Sequence, residues 1–278
     1  MKIKFFCPRW GAEQQPWEPF LQAVKEAGYA GIEWFPYSEA GDYTAVVKLL
    51  EQFGLEFTIV MAVIKHMEPV DDYLAELERQ LLDLATIGSG TNRPLAITAQ
   101  TGREFYTQDE AARCIACCDA VSRKTGIPIY QETHRNKWAF AAHAVYPQLL
   151  KHPGLTLTLD VSHWFCVSES YLHDQQPAVE LALRHARHIH ARVGHTEGPQ
   201  VWDPSAGEYA EALAEHLAIW DKWINIRKES GDPFCTVTPE FGPPPYMVFA
   251  GRTGTPFEEQ WRVNLWMKNL LEKRYANS

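Results

Sequence analysis

Short runs rich in apolar, β-branched and aromatic residues recur along this chain, each followed by a polar stretch and then by a longer amphipathic segment. The short runs fall at 2–6 (KIKFF), 31–35 (GIEWF), 56–62 (EFTIVMA), 94–99 (PLAITA), 127–132 (IPIYQE), 155–160 (LTLTLD), 187–192 (RHIHAR) and 235–240 (CTVTPE). Their length and residue types predict eight strands. The amphipathic segments predict helices between them. The segment 16–28 has Pro16 at its start and Gly28 at its end, and 42–54 likewise stops on Gly54, the usual punctuation of a helix. Segments 71–88, 109–126, 138–154 and 177–186 follow the next four strands, 208–230 precedes the last strand, and 257–275 closes the chain.

Strands that alternate with helices are parallel, because a parallel connection needs a crossover of a dozen or more residues. Eight such units in 278 residues predict an α/β fold, a single (β/α)8 TIM barrel spanning 1–278 as one domain. An open doubly wound sheet is the alternative. It announces itself by a glycine-rich phosphate loop after its first strand, and the corresponding segment here, CPRWGAEQQPW, is not one.

The formal net charge of -9 disfavours a general nucleic-acid partner, since an acidic surface repels a polyanion. The N-terminal MKIKFFCPRWG lacks the apolar core of a secretory signal, and no run approaches the roughly 18 apolar residues that span a bilayer. A cytoplasmic location without membrane attachment is expected. Cys114, Cys117 and Cys118 form a CxxCC, but no second cysteine or histidine pair completes a zinc site, and the surrounding segment is helical in pattern. They read as small buried helix residues.

In this barrel class the active site lies at the C-terminal ends of the strands. Strands five to eight end in Glu132, Asp160, His190 and Glu240. Three carboxylates brought to one rim cannot all stay ionised without a positive charge among them. One divalent metal ion is the economical answer, and an oxygen-rich set with one imidazole suits Mn²⁺, Mg²⁺ or Co²⁺, with Zn²⁺ and Fe²⁺ also open. His188 shares a strand face with His190 and competes with it; His190 is preferred because it lies nearer the rim. Other residues placed by the same logic around the pocket are Glu33 and Trp34 on strand two, Lys65 and His66 near the end of strand three, Gln100 near the end of strand four, His134 and Arg135 after Glu132, and Arg192 and His195 after His190.

The motifs GYAGIEW (28–34), QETH (131–134), LDVSH (159–163), HIHAR (188–192) and TPEFG (238–242), in this order, resemble the xylose isomerase-like TIM-barrel superfamily of sugar isomerases and epimerases, which also includes an endonuclease IV branch. The resemblance runs through nearly the whole chain. It implies that Glu132, Asp160, His190 and Glu240 hold the metal, that Glu132 and Glu240 double as the acid/base pair, and that His163 of the Asp160–His163 motif binds substrate. Relatives often carry a lysine and then an acid after the strand-seven histidine; here those positions are Arg192 and Val193. The implied reaction is proton removal next to a carbonyl through an enediolate, on a ketose, keto-sugar or related polyol, and a homodimer or homotetramer would be in keeping with the superfamily.

Elimination by a keto-sugar dehydratase or lyase begins with the same step and is the main alternative. An abasic-site endonuclease is disfavoured by the acidic balance, and a non-enzymatic sugar-binding protein by the complete ligand set. The loops 193–204 and 242–256 carry no phosphate cradle, which points to an unphosphorylated substrate.

Overall fold

The computed structural model describes residues 1–39, 41–65, 67–251 and 253–276. Eight strands, β1 (Lys2–Pro8), β2 (Gly31–Trp34), β3 (Glu56–Ala62), β4 (Ile97–Gln100), β5 (Ile129–Glu132), β6 (Leu157–Leu159), β7 (Ala186–His190) and β8 (Phe234–Thr238), pair in sequence order. All pairs are parallel, and β1 closes on β8 through the register Lys2 with Phe234 to Phe5 with Val237, so the sheet is a complete (β/α)8 barrel. Around it lie α1 (Trp17–Glu26), α2 (Tyr43–Phe53), α3 (Val70–Leu84), α4 (Gln108–Thr125), α5 (Ala142–Lys151), α6 (Val161–Ser168), α7 (Gln176–His185), α8 (Ala210–Glu229) and α9 (Pro256–Tyr275). No helix among the described residues is long and apolar enough to cross a membrane.

The helix ends follow local chemistry. Thr107 and Glu110 form a reciprocal capping box on α4, and Thr255 and Glu258 do the same on α9. Asp42 caps α2 by accepting from the Thr44 N–H at 2.8 Å, and Gly54 ends that helix at φ 65°, a left-handed conformation that a side chain would strain. One helix departs from the sequence expectation. Residues 161–168 follow strand six directly and read as loop; instead they form α6, with Asp160 as its N-cap accepting from the Ser162 N–H at 3.0 Å. Val161 to Phe165 are all buried, so α6 shows no polar face from which a helical period could be read.

Strand pleating sorts the side chains into two compartments. Ile32 and Trp34, Phe57, Ile59 and Met61, Ile97 and Ala99, Leu157 and Leu159, and Ile189 and Val237 face the helices and build the apolar core. The intervening positions face the lumen, and that interior is polar. Thr98 Oγ1 on β4 meets Thr158 Oγ1 on β6 at 2.8 Å, a contact between non-adjacent strands that only the lumen allows. His188 Nδ1 meets Thr236 Oγ1 at 2.8 Å, and its Nε2 lies 3.2 Å from Thr238 Oγ1. Cys114 and Cys118 are buried on α4, while the thiol of half-buried Cys117 lies 3.9 Å from the Leu74 carbonyl oxygen; no metal-binding group among the described residues includes a cysteine.

Gly31 starts β2 where a Cβ would fall on the Glu56 carbonyl oxygen and also meet the Phe6 ring. Gly31→Ala must push β2 away from β3, which carries an overpacking cost of about 1–3 kcal/mol. Urea unfolding should show that loss; an unchanged midpoint would mean the two strands separate freely here.

Candidate metal centre and substrate pocket

A cavity of about 240 Å³ opens at the C-terminal end of the barrel. Glu33, Gln100, Glu132, His134, Arg192 and Glu240 supply its polar wall, and Pro8, Trp10, Phe35, Val60, Ala62 and Tyr246 its apolar one. Glu132 ends β5, Asp160 follows β6, His190 ends β7 and Glu240 lies two residues beyond β8. One donor atom from each lies within 4.8 Å of all the others, and all four residues are buried.

His190 faces two ways. Its Nδ1 lies 3.0 Å from Glu240 Oε2 and 3.7 Å from Glu132 Oε1, while its Nε2 lies 3.0 Å from Glu33 Oε1. Burial opposes its protonation, but the carboxylates of Glu240, Glu33 and Glu132 outweigh burial and hold its pKa well above the usual value. Glu33 is the complement. Burial would raise its pKa, yet the rings of His190 and His188 hold the carboxyl ionised and well below the usual range. His188 sits deeper, with Nε2 at 3.2 Å from Glu33 Oε2 and its ring tied to Thr236 and Thr238. The lumen geometry thus directs His190 Nδ1 to the carboxylate cluster, leaves Nε2 for Glu33, and keeps His188 below.

Glu132 is the least settled acid. Burial pushes its pKa up to about 8, with His190 working against that rise and Glu240 adding to it. One of its oxygens accepts from Gln100 Nε2 at 2.9 Å; the other, Oε1, has no hydrogen-bond partner. Burial also raises the pKa of Asp160, opposed by Arg192. The Arg192 guanidinium is hydrogen-bonded to Asp160 Oδ2 and lies 3.7 Å from Glu240 Oε2.

These residues fit a divalent cation. Four carboxyl groups, of Glu33, Glu132, Asp160 and Glu240, face two cationic groups, Arg192 and the His190 ring. That excess of negative charge is what a dication balances. Glu132 Oε1 and His190 Nδ1 are buried without hydrogen-bond partners and turned toward the cluster. Asp160, though already bonded to Ser162 and Arg192, keeps lone pairs free, since a carboxylate offers about four acceptor sites. The pairing of His190 Nε2 with Glu33 is the arrangement that orients a metal-bound imidazole.

Of the residues expected around the pocket, Glu33, Gln100, His134 and Arg192 line it. His163 is fully buried, with Nδ1 at 3.0 Å from Arg135 Nη1 and Nε2 at 2.7 Å from Arg192 Nη2. Burial and the neighbouring His134 and arginines keep His163 neutral, and a neutral imidazole accepts at one nitrogen only, so just one of these contacts is a hydrogen bond. Arg135 also donates to Tyr246 Oη at 2.9 Å.

Two expectations are corrected. Trp34 does not face the pocket: it is one residue out of phase with Glu33, so it points to the helices and packs edge-on against Trp17 and Tyr43, each at 5.3 Å. His195 closes its own loop by pairing with Gly198 and lies 5.9 Å from the Tyr209 ring, off the cavity wall. His66 lies outside the described residues. Conversely, the residue-by-residue reading passes over Trp10, Phe35 and Tyr246. Tyr246 meets Trp10 edge-on at 5.4 Å, a contact between the loops after β8 and β1 that no local window of sequence contains.

No known family profile matches the sequence, and no curated protein does. Solved structures do match. The probable 3-DHS dehydratase AsbF from Bacillus anthracis, involved in petrobactin synthesis, superposes with a TM-score of 0.61 at 18% identity, over 98% of this chain and 99% of that one. A D-psicose 3-epimerase from Clostridium cellulolyticum H10, solved with D-tagatose, gives 0.58 at 15% identity over 99% of both chains. A xylose isomerase-like TIM barrel protein from Mycobacterium smegmatis, in complex with magnesium, gives 0.54 at 13% identity, over 96% of this chain and 97% of that one. Structural neighbours of this chain are xylose isomerase-like TIM barrels, and it shares their fold over nearly its whole length.

Proposed function

We propose that this protein is a divalent-metal-dependent isomerase or epimerase of a ketose, keto-sugar or related polyol. The observation that carries the reading is the convergence of Glu132, Asp160, His190 and Glu240, two of which, Glu132 and Glu240, line a cavity half polar and half aromatic-apolar. A metal held by these four would supply Lewis-acid stabilisation of negative charge on substrate oxygens. Mn²⁺, Mg²⁺ and Co²⁺ suit the oxygen-rich set best.

The chain's own residues would do the rest. Glu132, with one oxygen free of hydrogen bonds and the other held by Gln100, is suited to take a proton from the carbon beside the carbonyl. Glu240, which lines the same cavity, would return the proton. His134 and Arg192 line the wall where substrate hydroxyls would be held, and Trp10, Phe35 and Tyr246 form a surface for the apolar face of a sugar. Elimination remains the second reading because AsbF, described as a dehydratase, superposes over nearly the full chain. Product mass separates the two: elimination of water changes it, and isomerisation does not.

The first test is metal content. Protein purified without chelator should hold about one divalent ion per chain. Affinity should depend on pH with a defined sign. Below about 8 the metal must displace a proton from Glu132, and it must displace another from His190, whose pKa is also raised, so Mn²⁺ affinity should rise at least about tenfold per pH unit between 6 and 8 and go on rising above. Mn²⁺ titrations at three pH values check this. Affinity independent of pH would remove Glu132 from the ligand set.

A further inference from the structure

The loops after β3, β4 and β5 enclose a second cavity, of about 120 Å³, beside the one described above. Its polar lining is Lys65, Tyr73, Arg103, Tyr106, Asn136 and Lys137, and no carboxylate is among the described residues that line it. The volume is that of about four waters at roughly 30 Å³ each, enough for a phosphate or carboxylate group.

The three cations are not equally answered. Lys65 is exposed to solvent, and Arg103 has Glu104 at 3.2 Å. Lys137 is different. It is only 8% exposed, its backbone N–H is used by the His134 carbonyl, and its ammonium has neither hydrogen bond nor ion pair among the described residues. The side chain is largely buried while its ammonium is left to the cavity, and that burial lowers its pKa, with the charge of Glu132 working against the fall. Tyr73 adds a donor: its oxygen accepts from the Gly102 N–H at 2.7 Å, which leaves its own O–H free. Cations and hydroxyl donors without an acid among them are complementary to a compact oxyanion.

We propose that this cavity is an anion subsite, with Lys137 as its principal contact, that holds a phosphate or carboxylate group carried at the far end of the substrate. Lys137 stands five residues after Glu132 on the loop leaving β5, close enough for the charge of Glu132 to act on it. A substrate reacting at Glu132 therefore extends toward Lys137. That link to substrate rests on the metal-centre reading above; the anion site itself does not. The subsite also revises the expectation of an unphosphorylated substrate, which considered only the loops after strands seven and eight.

The test is thermal unfolding of the metal-stripped protein, titrated at constant ionic strength with inorganic phosphate and, separately, with acetate. Wild type should show a saturable rise in Tm, and the anion with the lower half-saturating concentration identifies the group. Lys137→Met and Arg103→Gln should each raise that concentration at least about tenfold, because each removes a charge-assisted contact. No saturable protection by either anion overturns the proposal, as does a folded Lys137→Met protein that titrates like wild type. If Lys137→Met does not fold, Arg103→Gln decides alone, and an unchanged titration overturns the proposal. Since no metal is present in these titrations, a failure to bind Mn²⁺ alongside an intact anion titration would count against the metal centre only.

Discussion

Glu132→Gln, assayed at saturating Mn²⁺ on any keto-sugar that wild type converts, is expected to lower kcat by about 10²–10⁴, the usual contribution of a positioned general base. The amide keeps the size and can still hydrogen-bond to Gln100, which now reaches only one of the carboxylate oxygens, at 2.9 Å. What it cannot do is accept a proton. Exchange of the substrate's carbon-bound hydrogen with deuterated solvent should fall in parallel, because exchange and turnover share the abstraction step. Saturating metal matters, since the same substitution also weakens a ligand. Turnover within threefold of wild type under these conditions would sink the acid/base assignment and leave Glu132 as a ligand only.

Arg192→Met is expected to have the largest effect on stability, and the effect should depend on metal. Arg192 and Asp160 are both buried, at 2% and 0% exposure, and bonded to one another. Removing one member of such a pair leaves an uncompensated buried charge, at about 3–5 kcal/mol. With chelator present the variant should lose stability of that order in urea unfolding. With Mn²⁺ the gap between variant and wild type should narrow, because a dication takes over the neutralisation of Asp160. The pH dependence has a definite sign. Burial already raises the pKa of Asp160, and loss of Arg192 raises it further. The variant's deficit should therefore shrink as pH falls and Asp160 takes up a proton. A deficit identical with and without Mn²⁺ would show that Arg192 stabilises the fold independently of the metal centre.

Much of the architecture can be read from the chain because strand and helix periods differ and because glycines and capping boxes punctuate the helices. Thr107 with Glu110, Asp42 and Gly54 all act within a few residues of themselves, which is why they are legible. The convergence of Glu132, Asp160, His190 and Glu240 is legible for a related reason: each ends a β-type run, and a barrel brings all its strand ends to one rim. What escapes is information held in phase or in distant contact. Trp34 and Glu33 are adjacent in sequence and lie in different compartments. Asp160 is both a candidate ligand and the cap of α6, and only the first role shows in a residue-type reading. The pairing of Arg192 with Asp160, the edge-on contact of Tyr246 with Trp10 and the lack of an acid beside Lys137 join residues that are far apart in sequence or that depend on what is missing nearby.

The alternation of a mostly polar lumen with an apolar outer face makes each strand behave like a reading frame. Deleting Arg187 from β7, with the preceding helix held in place, would turn His188 and His190 toward the helices and Ile189 toward the lumen, scrambling site and core together. The rim loops at 193–204 and 242–256 carry no such phase. Length variation among descendants of this chain should therefore accumulate in those loops, where pocket shape can drift, while the strands that present the four converging residues keep their length to the residue.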